Sequence, residues 1–152
     1  MVKIKQTNDF IKEIMSYPGG ENILRCIACG TCSAGCPVHE KNENFNPRKI
    51  IRMIKLGLRE EVLKSDYIWL CSICYNCYER CPQDVKCTEI MRVLRNIAAK
   101  EGYAPQGVKM QLEAIAKFGR VYEIEEFDNK KREKMGLAKL EVKVDLSKLL
   151  KK

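Results

Sequence analysis

The sequence predicts an all-α protein, and three observations carry that prediction. Apolar residues recur at helical spacing over most of the 152-residue chain, most clearly at Ile90, Val93, Leu94, Ile97 and Ala98, which fit i, i+3, i+4, i+7 and i+8. Prolines and glycines fall where helices begin and end. A cysteine pattern occurs twice, and the interval Pro37 to Leu70 between its copies reads as helical segments, not as the short strands of a bare β duplication.

Taken in order, the first helix is predicted over Asn8 to Tyr17. Thr7 or Asn8 serves as cap, Phe10, Ile11, Ile14 and Met15 share a face, and Pro18-Gly19-Gly20 ends it. A short helix through Ile23 and Leu24 leads to the first cysteines, and Glu40 to Asn46 reads as a polar connection. Pro47 suits the first position of a helix through Leu56, with Ile50, Ile51 and Ile54 inward and Gly57 as the stop. Leu58 to Lys64 and Asp66 to Leu70 are short helical pieces. After the Ile90 to Ala98 helix come Pro105 to Phe118, closed by Gly119, and a charged helix from Asp128 to Met135, closed by Gly136. Leu140, Val142 and Val144 alternate with charges as in a short strand or extended arm, and Asp145 to Lys152 reads as a small basic helix.

The chemistry lies in the cysteines. Cys26-x2-Cys29-x2-Cys32-x3-Cys36-Pro37 and Cys71-x2-Cys74-x2-Cys77-x3-Cys81-Pro82 use eight of the nine, and this spacing is the signature of bacterial [4Fe-4S] sites. Three thiolates spaced by two residues wrap one face of a cubane, and the fourth ligand must come from elsewhere. Proline turns Cys36 and Cys81 away from their own loops. Crossed ligation is therefore expected, with Cys26, Cys29, Cys32 and Cys81 holding cluster 1 and Cys71, Cys74, Cys77 and Cys36 holding cluster 2. Zinc prefers paired CxxC ligands, which leaves a third cysteine superfluous. An odd count without a secretory leader argues against a disulfide framework. The ninth thiol, Cys87, reads as a small buried apolar group at a helix start, with substitute ligation as the rival.

These motifs point to an α-helical ferredoxin domain over 21–100, flanked by an N-terminal helical extension (1–20) and a C-terminal helical extension and docking arm (101–152). A chain this long buries roughly 68–70% of its unfolded surface. No stretch resembles a membrane span, and Met1 to Lys5 lacks the apolar core of a signal peptide, so a reducing cytoplasm is expected. The formal charge of +8 counts the cysteines as neutral. Eight thiolates around two cubane cores bring the holoprotein to about +4, and to about +2 when both are reduced. The basic residues are interspersed with glutamates along helices, which disfavours nucleic-acid binding.

Around the ligands, Thr31 and Ser33 are candidate hydrogen-bond donors to cluster sulfurs, or turn formers. Gly30 and Gly35 are expected to let the backbone approach a cubane. Arg25 and Arg80 either offset cluster charge or are solvated. Trp69, Tyr75 and Tyr78 are expected to shield the second cluster as packing groups. His39, the sole histidine, is read as a surface or hydrogen-bonding group.

Cys26 to Pro37, Asn46-Pro47-Arg48, Cys71 to Pro82, Asp84-Val85 and the later stretch Arg132 to Leu140 resemble the C-subunit family of heterodisulfide reductases. That resemblance implies a non-catalytic, two-cluster electron relay. The flavin- and iron-sulfur-bearing A-subunit would donate, and the cysteine-rich catalytic B-subunit would reduce the coenzyme M–coenzyme B heterodisulfide of methanogenesis. A hydrogenase or formate dehydrogenase acting through the flavin-bearing subunit is the further partner it suggests. The chain carries no Cys-Cys-Gly repeat of the kind the catalytic subunit has, so no catalytic residue is assigned. Helical ferredoxin domains also occur in fumarate reductases and glycolate oxidases. A free ferredoxin-like carrier, or the iron-sulfur subunit of another oxidoreductase, is therefore the alternative, with a cluster-bearing regulatory module behind it.

Overall fold

Two helices organise the chain because each carries its apolar residues on one face. α7 (Cys87–Lys100) buries Ile90, Met91, Val93, Leu94, Ile97 and Ala98, and α4 (Pro47–Lys55) buries Ile50, Ile51 and Ile54. The computed structural model describes residues 9–140 and residue 146, and among these every regular element is helical, as the sequence predicts. The chain divides into two units, Met1–Tyr103 and Ala104–Lys152.

In the first unit, α1 (Asp9–Met15) packs on α4 and α7 through Phe10, Ile11 and Ile14. It stops short of Tyr17 because the Ser16 hydroxyl donates to Glu13 O and a tight turn closes from Gly20 N to Tyr17 O. A Cβ on Gly20 would overlap the Ile14 carbonyl, so that turn requires glycine. The candidate caps Thr7 and Asn8 lie outside the described residues. α4 starts as predicted, with Pro47 in its first turn and the Asn46 side chain accepting from Lys49 N at 3.1 Å. Short 3-10 turns, Ile23–Arg25 and Tyr67–Leu70, lead into the two cysteine loops and bury Ile23 and Ile68.

One segment departs from the sequence reading. Pro37 opens a helix, α3 (Pro37–Lys41), so Glu40 and Lys41 are helical, and Phe45 in the same polar stretch is only 1% exposed. Two single-turn helices, α2 (Thr31–Ala34) before it and α6 (Asn76–Glu79) after the second loop, are too short to show a period in sequence. α5 (Arg59–Leu63) buries Val62 and Leu63 and packs on α4 and α7. Its Arg59 clamps three elements: Nε and Nη2 reach Glu13 of α1 at 2.7 and 2.9 Å, and the same fork grips Glu101 just past α7. The two carboxylates hold the Arg59 guanidinium charged, and Arg59 holds the Glu101 carboxyl below its ordinary range.

The second unit contains α8 (Gln106–Phe118), which ends at Gly119 with φ 67°, and α9 (Glu126–Lys134), which begins with a reciprocal Glu125–Asp128 capping box. Asn129 of α9 straps Leu140, accepting from its N–H at 2.9 Å and donating to its carbonyl at 3.4 Å. Leu140 is thus held against a helix. The rest of the predicted arm, Val142 and Val144, and the Asp145 to Lys152 helix lie outside the described residues, Leu146 apart. Val121, Tyr122, Phe127 and Met135 are each more than half exposed.

Ile54 of α4, fully buried, should cost about 2–5 kcal/mol on truncation to alanine. Arg59→Ala, whose ion pairs are a third exposed, should cost about 1 kcal/mol. Denaturant unfolding of the anaerobic protein checks both the sizes and their order.

Candidate metal centres

Both cysteine motifs fold into the same loop. In the first, Ala28 and Gly30 take left-handed backbones (φ 56° and 88°). In the second their counterparts Ile73 and Tyr75 do (φ 53° and 63°). Left-handed residues within a tight loop turn backbone N–H groups inward and form the concavity that anions and iron–sulfur groups occupy. Only Gly30 adopts this without strain. Ile73, a β-branched residue, carries a cost of about 1–3 kcal/mol that the surrounding loop must impose.

The two halves then exchange segments. Asn22, which leads into the first loop, donates to Asp84 O beyond Cys81 at 2.9 Å, and Asn76 of α6 donates to Gly35 O, beside Cys36, at 3.3 Å. α2 packs on α6, and Arg80 lies against Gly35, where a Cβ would sit 2.7 Å from its Nη1. Two cavities result. One is lined by Cys26, Cys29, Cys32 and Cys81, the other by Cys71, Cys74, Cys77 and Cys36. Each cavity thus has the four cysteines of one set on its wall. That arrangement suits a cubane, which offers four separate iron corners.

The wall materials differ from the sequence reading in three places. Val38, Phe45, Pro47 and Met91 line the second cavity; Trp69, Tyr75 and Tyr78 do not. Tyr75 and Tyr78 instead meet edge to face at 5.7 Å, and the Tyr75 hydroxyl donates to Glu89 at 3.0 Å. Gly30 and Arg48 line the first cavity, whereas Gly35 makes room for Arg80. Ser33 gives its shortest bonds to α4 and not to a sulfur: its hydroxyl donates to Asn46 Oδ1 at 2.7 Å and accepts from Arg48 N at 3.1 Å, joining α2 to the start of α4, while its contact with Cys32 Sγ is a long 4.0 Å. Asn46 Oδ1, already taken by Ser33 and Lys49 N, turns the amide nitrogen to His39 Nε2 at 3.4 Å, which gives His39 the predicted hydrogen-bonding role. Arg25 and Arg80 are exposed.

Several donors do reach thiols. Thr31 Oγ1 lies 3.3 Å from Cys29 Sγ, and Thr88 Oγ1, which nothing in the sequence marks, lies 3.1 Å from Cys77 Sγ. The N–H groups of Ala28, His39 and Val85 donate to Cys26, Cys36 and Cys81 at 3.4–3.5 Å. Thr31 lowers the Cys29 thiol pKa. Cys87, then Ser33, hold Cys32 at about 7, and Cys87, then Thr88, hold Cys77 at about 6, both against the opposing effect of burial. These contacts favour the thiolate at two ligand positions, the form that metal binding needs. Cys71, by contrast, is pushed up by burial.

A cation braces each loop where it begins. Lys55 Nζ donates to Cys26 O at 3.1 Å. Arg95, on α7, donates to Ile68 O and Trp69 O at 2.9 Å and to Cys71 O at 2.6 Å, with its guanidinium over the Trp69 ring. Nothing in the sequence distinguishes Arg95 from an ordinary helix-surface arginine.

A helical domain whose paired loops set eight thiols around two separate cavities is a two-cluster iron–sulfur electron-transfer protein. Consistent with this, a family model described as a 4Fe-4S dicluster domain matches residues 22–85. The chain is 33% identical over 134 residues to the C-type iron-sulfur subunit of the CoB–CoM heterodisulfide reductase of Methanopyrus kandleri, covering 88% of this chain and 69% of that one. It is 38% identical over 146 residues to the C2-type subunit of the H2/formate:CoB-CoM heterodisulfide, ferredoxin reductase of Methanococcus maripaludis, covering 91% and 78%. To a C-type iron-sulfur subunit of the Methanocaldococcus jannaschii CoB–CoM heterodisulfide reductase it is 39% identical over 127 residues, covering 78% and 67%. The chain belongs to the C-subunit family of heterodisulfide reductases. Its fold is all-α and ferredoxin-like, its cofactors are two [4Fe-4S] clusters, and it serves within a complex of further subunits. Among the described residues no helix is long and apolar enough to cross a membrane.

Arg95→Met should leave three loop carbonyls without their charged donor and lower stability by about 1.5–3 kcal/mol. Iron analysis after gel filtration should show loss from the second loop before the first.

Proposed function

We propose that this chain is the relay between a flavin- and iron-sulfur-bearing subunit and a cysteine-rich catalytic subunit that reduces the coenzyme M–coenzyme B heterodisulfide. The clusters supply one-electron exchange when bound. The protein's part is to hold, insulate and expose them. Cluster 1 takes Cys26, Cys29, Cys32 and Cys81; cluster 2 takes Cys71, Cys74, Cys77 and Cys36. The observation that carries this reading is that each cavity is lined by three cysteines of one motif and the fourth of the other.

Cys36 is buried whereas Cys29 and Cys74 are exposed, so each site has an outward edge at its middle ligand. Exposed apolar residues flank these ligands in sequence, Leu24 and Ile27 at the first loop and Leu70 and Ile73 at the second. Two such edges suit a chain that takes electrons from one protein and hands them to another. The exposed apolar groups of the second unit support a docking role for the extension 101–152. The complex works in the cytoplasm, and its flavin-bearing subunit receives electrons from a hydrogenase or formate dehydrogenase.

Anaerobic affinity purification should recover the chain with flavin and cysteine-rich subunits; isolation alone would favour the free-carrier alternative. In electron paramagnetic resonance of the reduced protein, Cys36→Ser should reproduce the spectral change caused by Cys74→Ser. A match to Cys29→Ser instead overturns crossed ligation.

A further inference from the structure

Cys87, the ninth cysteine, has no place in either ligand set, yet it is not remote from them. It opens the 14-residue helix α7, is 2% exposed, and is the one side chain among the described residues that lines both cavities. That position sets its thiol between Cys32 of the first set and Cys77 of the second, and its proximity lowers the pKa of both. Thr88, next to it, faces the second cavity alone, through the 3.1 Å contact with Cys77. A residue needed only to fill space at a helix start has no reason to touch one ligand from each side.

We infer that Cys87 is a hydrogen-bond donor shared between the two clusters, whose single hydrogen stabilises whichever cluster receives the first electron. This deepens the proposed relay and rests on its ligand assignment. Reduction adds negative charge to the thiolate ligands, and a donor to those sulfurs stabilises the reduced form and raises its potential. A thiol carries one hydrogen, so it serves one ligand at a time. One electron enters from the donor subunit, or from dithionite in the laboratory, and no covalent bond forms or breaks. The hydrogen stays on Cys87 Sγ and turns to Cys32 or Cys77. The second electron then finds the donor already engaged and gains nothing from it. Cys87 therefore spreads the two reduction steps apart and favours a chain that carries one electron at a time.

The test is a redox titration with dithionite, monitored by electron paramagnetic resonance, on the full chain holding both clusters. Cys87→Val keeps the apolar volume and removes the hydrogen; Cys87→Ala repeats the test with less bulk. Iron content should stay at two clusters in both. The first reduction should become about tenfold less favourable, about 59 mV for one electron, while the second stays in place and the two steps draw together. Cys87→Ser, which restores a hydrogen, should recover most of the shift. Unmoved potentials, or equal movement of both steps, overturn the inference, as does loss of a cluster in all three variants, which would make Cys87 a ligand or a purely structural group. A wild-type chain that binds anything other than two cubanes defeats the ligand assignment itself and this inference with it.

Discussion

A tight loop carrying three thiols has no interior in which to shelter the charge those thiols acquire, so each loop here leans on the segment that follows the other. The hydrogen bonds from Asn22 to Asp84 and from Asn76 to Gly35 are the ties of that exchange, and Arg80 fills the space that Gly35 leaves open. Because the partners lie far apart in sequence, the loops become well formed only when the whole first unit is assembled, and closing the connection costs entropy that the core must offset. The core does so with stacked isoleucines. Ile50, Ile51 and Ile54 of α4 and the long inner face of α7 hold the two loop lead-ins through the buried Ile23 and Ile68.

Buried thiolates also need compensation nearby, and the chain supplies it in small, local amounts. Backbone N–H groups of Ala28, His39 and Val85 point at sulfurs, two threonine hydroxyls reach others, and Lys55 and Arg95 sit at the first carbonyl of each loop. Neither cation neutralises a site by itself. Cys29 and Cys74 reach the surface, whereas Cys36 is buried. The sites are insulated at one end and open at the other.

How much of this is legible in the sequence follows from the length of each signal. The pattern locates α4, α7, α8 and α9 closely because each offers two or more turns of regular spacing, a terminal glycine or an initial proline. α3 escapes it because Val38-His39-Glu40-Lys41 has one apolar residue and no period, and Phe45 vanishes into a polar window although it walls a cavity. The cysteine spacing marks the two loops but cannot say what surrounds them. Ser33 looks like a sulfur donor because it neighbours a ligand, yet its shortest hydrogen bonds go to the start of α4 and its contact with Cys32 is a long 4.0 Å. The aromatic cluster looks like a shield because it is close in sequence, yet the wall comes largely from residues after the first motif. Arg95 and Thr88 gain their roles only from the side of α7 that faces the second loop.

The likeness of the halves makes their one large difference informative. After Cys36, proline starts a helix, and α3 carries the chain on. After Cys81, the chain makes a turn in which Asp84 and Lys86 are both left-handed, at φ 49° and 58°. Neither residue is glycine, so each position costs about 1–3 kcal/mol unless the surroundings enforce it. What the turn achieves is direction: it starts α7 at Cys87, with the first turn of a long helix entering between the cavities and no side chain capping it. An uncapped N-terminus presents free N–H groups and a partial positive charge to whatever lies ahead of it, and here that is a wall of thiols. α4 also reaches both cavities, with Arg48 and Ile51 at the first and Pro47 at the second, but Cys87 of α7 is the one side chain among the described residues that lines both. The strained turn is what lets a single side chain of α7 face both.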